Sequence, residues 1–150
     1  MTILVSACLL GHRCRYDGKH KMNSDLMGRL KNQTVLPVCP EQSGGLPTPR
    51  PACQLMGGNG TDVLAGRARV VDKKGTDQTA AFMHGAHHIL ELARKNGVVR
   101  CYLKAKSPSC GSGELSARVT ASDWPEGYRP VLGVTAALLL AHGFDVEEIP

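Results

Sequence analysis

Three short, β-rich apolar runs of this chain each lead into a cysteine. The runs begin near residues 3, 34 and 98, and they lead into Cys8, Cys39 and Cys110. Runs of this length and composition are typical of buried strands. If the strands are parallel, their carboxyl ends meet at one edge of the sheet, where ligands usually bind. We therefore expect the three thiols to share one site.

Helical patterns separate these runs, so the sequence predicts an α/β fold. We expect a three-layer, Rossmann-like, mostly parallel sheet flanked by helices, in a single domain over residues 1–150. The predicted strands are 3–8, 34–39, 98–103 and 144–149, and the predicted helices are 25–31, 80–95 and 133–142. Residues 67–71 are typical of an edge strand or a hairpin arm. Proline and glycine predict irregular loops over 40–51 and 114–130.

The composition narrows the class of protein. The net charge is +5 and the sequence pI is near 9.0, but the basic residues are scattered and no aromatic stripe accompanies them. This pattern indicates a solvated surface, and it gives no positive indication of tRNA binding. Met1 leads directly into the first run, without a basic leader or a membrane-length apolar stretch. We expect a cytoplasmic protein, a monomer without a membrane partner.

The six cysteines need an explanation, because a cytoplasmic chain of this kind does not favour a disulfide framework. No Cys-x-x-Cys unit is present, so spacing alone is a weak signal. A plain core residue explains Cys101 best, and Cys14 and Cys53 stay open. The shared position at strand ends favours a metal site for the other three, which we interpret as ligands of an iron–sulfur cluster, with structural zinc as an alternative. Three thiolates would leave one iron with an open position, which suits Lewis-acid chemistry.

Polar residues next to these cysteines are the candidates for catalysis. Glu41 is a candidate general base, although a loop-capping carboxylate is an equally good interpretation. Ser107 is a candidate for orienting water or a leaving group, but a serine before proline is also a common turn former. The candidates for substrate contacts are Tyr16, Asp17, Gly44 and Ser109.

The same residues carry a resemblance to a known family. The matching segments are 5–11 (Val-Ser-Ala-Cys-Leu-Leu-Gly), 14–18 (Cys-Arg-Tyr-Asp-Gly), 37–41 (Pro-Val-Cys-Pro-Glu), 44–50 (Gly-Gly-Leu-Pro-Thr-Pro-Arg) and 107–113 (Ser-Pro-Ser-Cys-Gly-Ser-Gly). In this order they resemble the thiouracil desulfurases, small domains formerly of unknown function. The resemblance implies a [4Fe-4S] cluster held by Cys8, Cys39 and Cys110. It also implies non-redox chemistry: the thiocarbonyl sulfur binds the open iron, water attacks the carbon, and uracil and sulfide are released, with Glu41 and Ser107 as acid–base and orienting residues.

The resemblance leaves the substrate open. Residues 114–118 and 52–54 differ from the pattern usual in that family, and both segments fall near the expected substrate pocket. A thiolated pyrimidine base, a nucleoside and a tRNA are therefore all candidates. An alternative function is an iron–sulfur or sulfide carrier that assists tRNA thiolation without cleaving a C–S bond itself.

Overall fold

A four-stranded parallel sheet forms the centre of the fold in the computed structural model, which describes residues 1–105, 107–110 and 132–150. Its strands are β1 (Thr2–Ser6), β2 (Thr34–Val38), β5 (Val98–Lys104) and β6 (Asp145–Ile149), in the spatial order β2-β1-β5-β6. The three strands that lead into the predicted ligand cysteines are therefore neighbours, with β1 in the middle. The predicted irregular segment 114–130 lies outside the described residues.

Helices cover both faces of this sheet. Side chains alternate across each strand, so each face carries its own set of apolar side chains, and helices bury both sets. On one face, Ile3 and Val5 of β1 pack with Leu26 of helix α1 (Ser24–Arg29). On the other, Leu4 packs in a core with helices α3 (Gly60–Leu64), α4 (Thr79–Lys95) and α5 (Val134–Ala141). The predicted three-layer α/β fold is confirmed.

The helices follow the predicted ranges closely. Asn23 caps α1, since its Oδ1 accepts a hydrogen bond from the Leu26 amide at 2.9 Å. The buried face of α4 carries the apolar stripe that predicted it, and α5 is almost wholly buried as expected. Within the described ranges, none of these helices has the combined length and apolar character needed to cross a bilayer.

A second, two-stranded antiparallel sheet pairs β3 (Cys53–Met56) with β4 (Arg69–Asp72). Because α3 lies between these strands in the chain, they do not form a hairpin, and of the two alternatives for residues 67–71 the edge strand is the one observed. Strand β3 was not predicted. Helix α3 was also missed, although a capping box between Asn59 and Asp62 marks its start.

The prediction of an irregular loop over 40–51 is wrong for its first residues. They form a short helix, α2 (Pro40–Ser43), with the proline at the first helical position. Proline is favoured there, because its missing N–H has no partner in a first helical turn anyway.

Candidate active site

A cavity of about 510 Å³ opens at the carboxyl ends of β2, β1 and β5. This size lies within the range of small-molecule sites. Five of the six cysteines line the cavity, namely Cys8, Cys14, Cys39, Cys53 and Cys110. Cys101 does not, because it lies inside β5 and is fully buried in the core. The expected grouping of three strand-end thiols around one cavity is therefore observed.

The end of β1 places Cys8 in a tight turn. Residues Ala7–Leu10 form one turn of 3-10 helix directly after the strand, and this turn ends at Gly11 with a φ of 94°. A positive φ favours glycine, because it has no Cβ. Cys39 needs no such turn, since it follows β2 directly and occupies the N-cap position of α2.

The loop that carries Cys110 is fixed by helix α5 and by Ser107. The amides of Val134 and Thr135 donate to the carbonyls of Pro108 and Ser109, both at 2.8 Å. These amides belong to the first turn of α5, where no partner exists within the helix. The Ser107 Oγ accepts from the amides of Ser109 and Cys110, both at 3.2 Å. These hydrogen bonds hold residues 107–110, and with them Cys110, against the start of α5.

The thiols affect one another's protonation. A hydrogen bond with Cys39 lowers the pKa of Cys14, but contact with Cys8 and burial outweigh it and raise that pKa to about 11. The contact with Cys14, together with burial, raises the pKa of Cys39 well above its usual range. Burial raises the pKa of Cys110 to about 12, although Ser6 and Ser107 donate hydrogen bonds that favour its thiolate. A metal that binds here must therefore displace protons from these sulfurs.

The donors are not arranged for a single metal ion. Across the described residues, no three His, Cys, Asp or Glu side chains form a group that would hold one ion. A cubane cluster needs a different arrangement, because each of its thiolate ligands binds a separate iron atom.

A buried ion pair lies in the cavity wall beside the thiols. The Arg50 guanidinium contacts the Glu41 carboxylate, and their side chains are only 3% and 15% exposed. Glu41 is in α2, two residues after Cys39. Sequence reasoning found Glu41 but gave no role to Arg50, which is nine residues away in a proline-rich loop.

The other predicted site residues divide into two groups. Ser107, Ser109 and Tyr16 line the cavity, and the buried Ser109 Oγ has no hydrogen-bond partner within the described residues. Asp17 and Gly44 are not among the lining residues. Asp17 accepts a hydrogen bond from the Lys19 amide at 3.0 Å on the surface.

Gly44 lies against helix α4. A Cβ at Gly44 would collide with the Ala81 carbonyl, and one at Gly85 of α4 would collide with the Pro40 carbonyl. The two glycines therefore let α2 press closely on α4, and this contact sets the position of the helix that carries Glu41.

A parallel α/β fold with buried thiols gathered at the carboxyl edge of its sheet, next to a carboxylate, defines a sulfur-rich site of the kind that suits an iron–sulfur centre. The model of the 2-thiouracil desulfurase family matches residues 3–148, and the chain belongs to this family. The predicted family is therefore confirmed, and its members are enzymes that cleave C–S bonds.

Two relatives show how far the similarity extends. The uncharacterized protein YbbK of Bacillus subtilis (strain 168) is 39% identical over 144 residues, which cover 96% of this chain and 93% of YbbK. The solved structure of the [4Fe-4S]-dependent thiouracil desulfidase TudS is 39% identical and superposes with a TM-score of 0.80, covering 98% of this chain and 89% of that chain.

Proposed function

We propose that the chain removes sulfur from a thiolated pyrimidine by hydrolysis, with 2-thiouracil as the representative substrate. The reaction consumes one water, converts the thiocarbonyl to a carbonyl and releases hydrogen sulfide, so no atom is oxidised or reduced. Family membership and the likeness to TudS support the reaction class. The single observation that carries the proposal is the meeting of three strand-end thiols and Glu41 in one cavity.

The donor set fits a [4Fe-4S] cluster held by Cys8, Cys39 and Cys110. The three cysteines follow neighbouring strands; Cys8 and Cys110 are only 7% and 5% exposed, and Cys39 is half-buried. Soft thiolates are the ligands that such clusters take. When bound, a cluster with three protein ligands supplies a Lewis-acidic iron with an open position for the substrate sulfur.

The chain itself supplies proton transfer and orientation. Glu41 takes a proton from the water that attacks the thiocarbonyl carbon. The Ser107 Oγ accepts two amide hydrogen bonds, and its hydroxyl proton is the donor that it offers toward Cys110 or a bound molecule. Ser109 offers a second hydroxyl to the substrate, and Tyr16 provides an aromatic surface at the cavity wall.

A single-turnover assay under anaerobic conditions tests this function. The reconstituted protein is mixed with 2-thiouracil, and uracil and sulfide are quantified together with iron per chain. We expect uracil and sulfide in equal amounts from the iron-loaded protein and none from protein treated with a chelator. Iron-loaded protein that yields no uracil would favour the carrier function, and zinc without iron would favour a structural metal.

A further inference from the structure

Arg50 is a buried cation with every terminal N–H group engaged. Its Nη1 donates to the Pro47 carbonyl at 3.1 Å and to the Thr48 Oγ1 at 2.9 Å. Its Nη2 donates to the Cys14 carbonyl at 2.9 Å and to the Glu41 Oε2. A buried guanidinium is costly unless its donors are satisfied, so this set of partners fixes the side chain in one orientation.

These contacts join three segments of the cavity wall. Besides the side-chain contacts, the Arg50 amide donates to the Tyr16 carbonyl at 2.8 Å, so Arg50 is bonded twice to the loop that contains Cys14. On the other side, Gln42 of α2 donates to the same Thr48 Oγ1 at 2.9 Å. Arg50 is therefore held by groups other than Glu41, and its position does not depend on that carboxylate.

The contact with Glu41 is end-on. It uses Oε2 alone, and no hydrogen bond from the described part of the chain reaches the second carboxylate oxygen. This charge-assisted hydrogen bond fixes the direction in which the carboxylate points within the cavity wall. A general base acts efficiently only when its orientation is fixed in this way.

We propose that Arg50 is a positioning residue for the desulfuration, which holds the Glu41 carboxylate in the cavity in its reactive orientation. This inference rests on the role proposed above for Glu41. Lysine cannot replace Arg50, because a single ammonium does not reach the partners that the planar guanidinium contacts at the same time.

A double-mutant cycle separates this role from a purely structural one. The four reconstituted proteins are wild type, Arg50→Lys, Glu41→Gln and the double variant, and kcat, KM for 2-thiouracil and iron content are measured for each. We expect Arg50→Lys to keep its iron and to lose about 10- to 100-fold in kcat, with KM within about threefold. In the Glu41→Gln background, the same substitution should change kcat by less than about threefold.

The control is Arg67→Lys, which alters another arginine–carboxylate pair. Arg67 contacts Asp62 at 3.0 Å, but its side chain is 65% exposed. This variant should match the wild type in kcat, KM and iron. Equal losses of kcat from Arg50→Lys in both backgrounds would overturn the proposal, because Arg50 would then act independently of Glu41.

Thermal unfolding of the same four proteins provides a readout that does not depend on activity. If Arg50 holds Glu41, the double variant should lose less Tm than the sum of the two single losses. Should the wild type release no uracil, the proposed function fails, and this Tm cycle alone decides the contact. Non-additive losses would then support the hold on Glu41, and additive losses would overturn it.

Discussion

The two ends of the parallel sheet carry cavities of similar size that are lined by different side chains. The cavity at the carboxyl ends measures about 510 Å³ and is lined by five cysteines and the Arg50–Glu41 pair. The cavity at the amino ends measures about 410 Å³ and is lined by residues such as Ile3, Arg100 and Asp145, with no cysteine among its lining residues.

The ion pairs show the same contrast. At the amino end, Arg100 pairs with Asp145 at 3.1 Å, and the two side chains are 46% and 70% exposed. At the carboxyl end, Glu41 and Arg50 are largely removed from water. Volume therefore does not distinguish a candidate active site here, whereas the burial of charged and nucleophilic groups does.

The largest expected effect concerns the three proposed ligand cysteines. Cys8→Ala, Cys39→Ala and Cys110→Ala should each reduce iron from about four atoms per chain to nearly none after anaerobic reconstitution, with loss of the absorbance near 400 nm. Cys101→Ala is the matched control, because that thiol is buried in the core of the same sheet. If Cys101→Ala loses its iron as completely, the choice of ligands is wrong.

Substitutions at Cys14 and Cys53 test the choice of ligands further. Both residues line the cavity, but neither follows a strand of the main sheet. We expect Cys14→Ala and Cys53→Ala to keep their iron. Loss of the absorbance in the Cys14 variant would instead make it a ligand, which its contacts with Cys8 and Cys39 would permit.

The next effect concerns catalysis without loss of the cluster. Glu41→Gln keeps the shape of the side chain but removes the base, so single-turnover uracil formation should slow by about 10²- to 10⁴-fold. Iron and sulfide content should equal those of the wild type. Turnover at the wild-type rate would remove Glu41 from the mechanism.

A smaller effect should follow from disturbing the support of α2. Gly85→Ala places a methyl group against the Pro40 carbonyl and should lower the free energy of unfolding by about 1–3 kcal/mol. Gly28→Ala in α1 is the control, since no atom lies within 4 Å of the new Cβ, and it should gain about 0.5–1 kcal/mol from helix propensity. Urea unfolding measures both, and equal stability of the two variants would contradict the close contact between α2 and α4.

The smallest effect is expected at the amino end of the sheet. Arg100→Met removes an exposed ion pair, and solvent screening makes such pairs weak. Iron content, turnover and Tm should therefore match the wild type. A marked loss of turnover in this variant would mean that the cavity at the amino ends of the strands takes part in function.

The sequence alone was sufficient for the main sheet and for the grouping of its strand-end thiols. Each β-rich run ends at its cysteine or in a short loop before it, and parallel pairing places such ends together whatever the distance along the chain. The contact between Glu41 and Arg50 could not be predicted from the sequence, because it depends on how the loop over residues 44–50 folds back on itself. Proline and glycine there show only that the loop is irregular.

Gly44 illustrates a different limit. The sequence shows a glycine where the backbone approaches something closely, but it does not show what is approached. The prediction placed substrate there, whereas the structure places the backbone of Ala81 there. Cys14 has the same ambiguity, since its contact with Cys39 depends on a loop whose path local pattern does not fix.

The pairing of β1 with β5 has a consequence for biosynthesis. It brings Cys110, the last of the three proposed ligand thiols in the chain, from the distal part of the polypeptide to the edge of the sheet where Cys8 and Cys39 lie. A nascent chain that has emerged from the ribosome only as far as α4 would present Cys8 and Cys39 but not Cys110. Iron loading should therefore be a late event in maturation, which follows translation of the segment that contains Cys110.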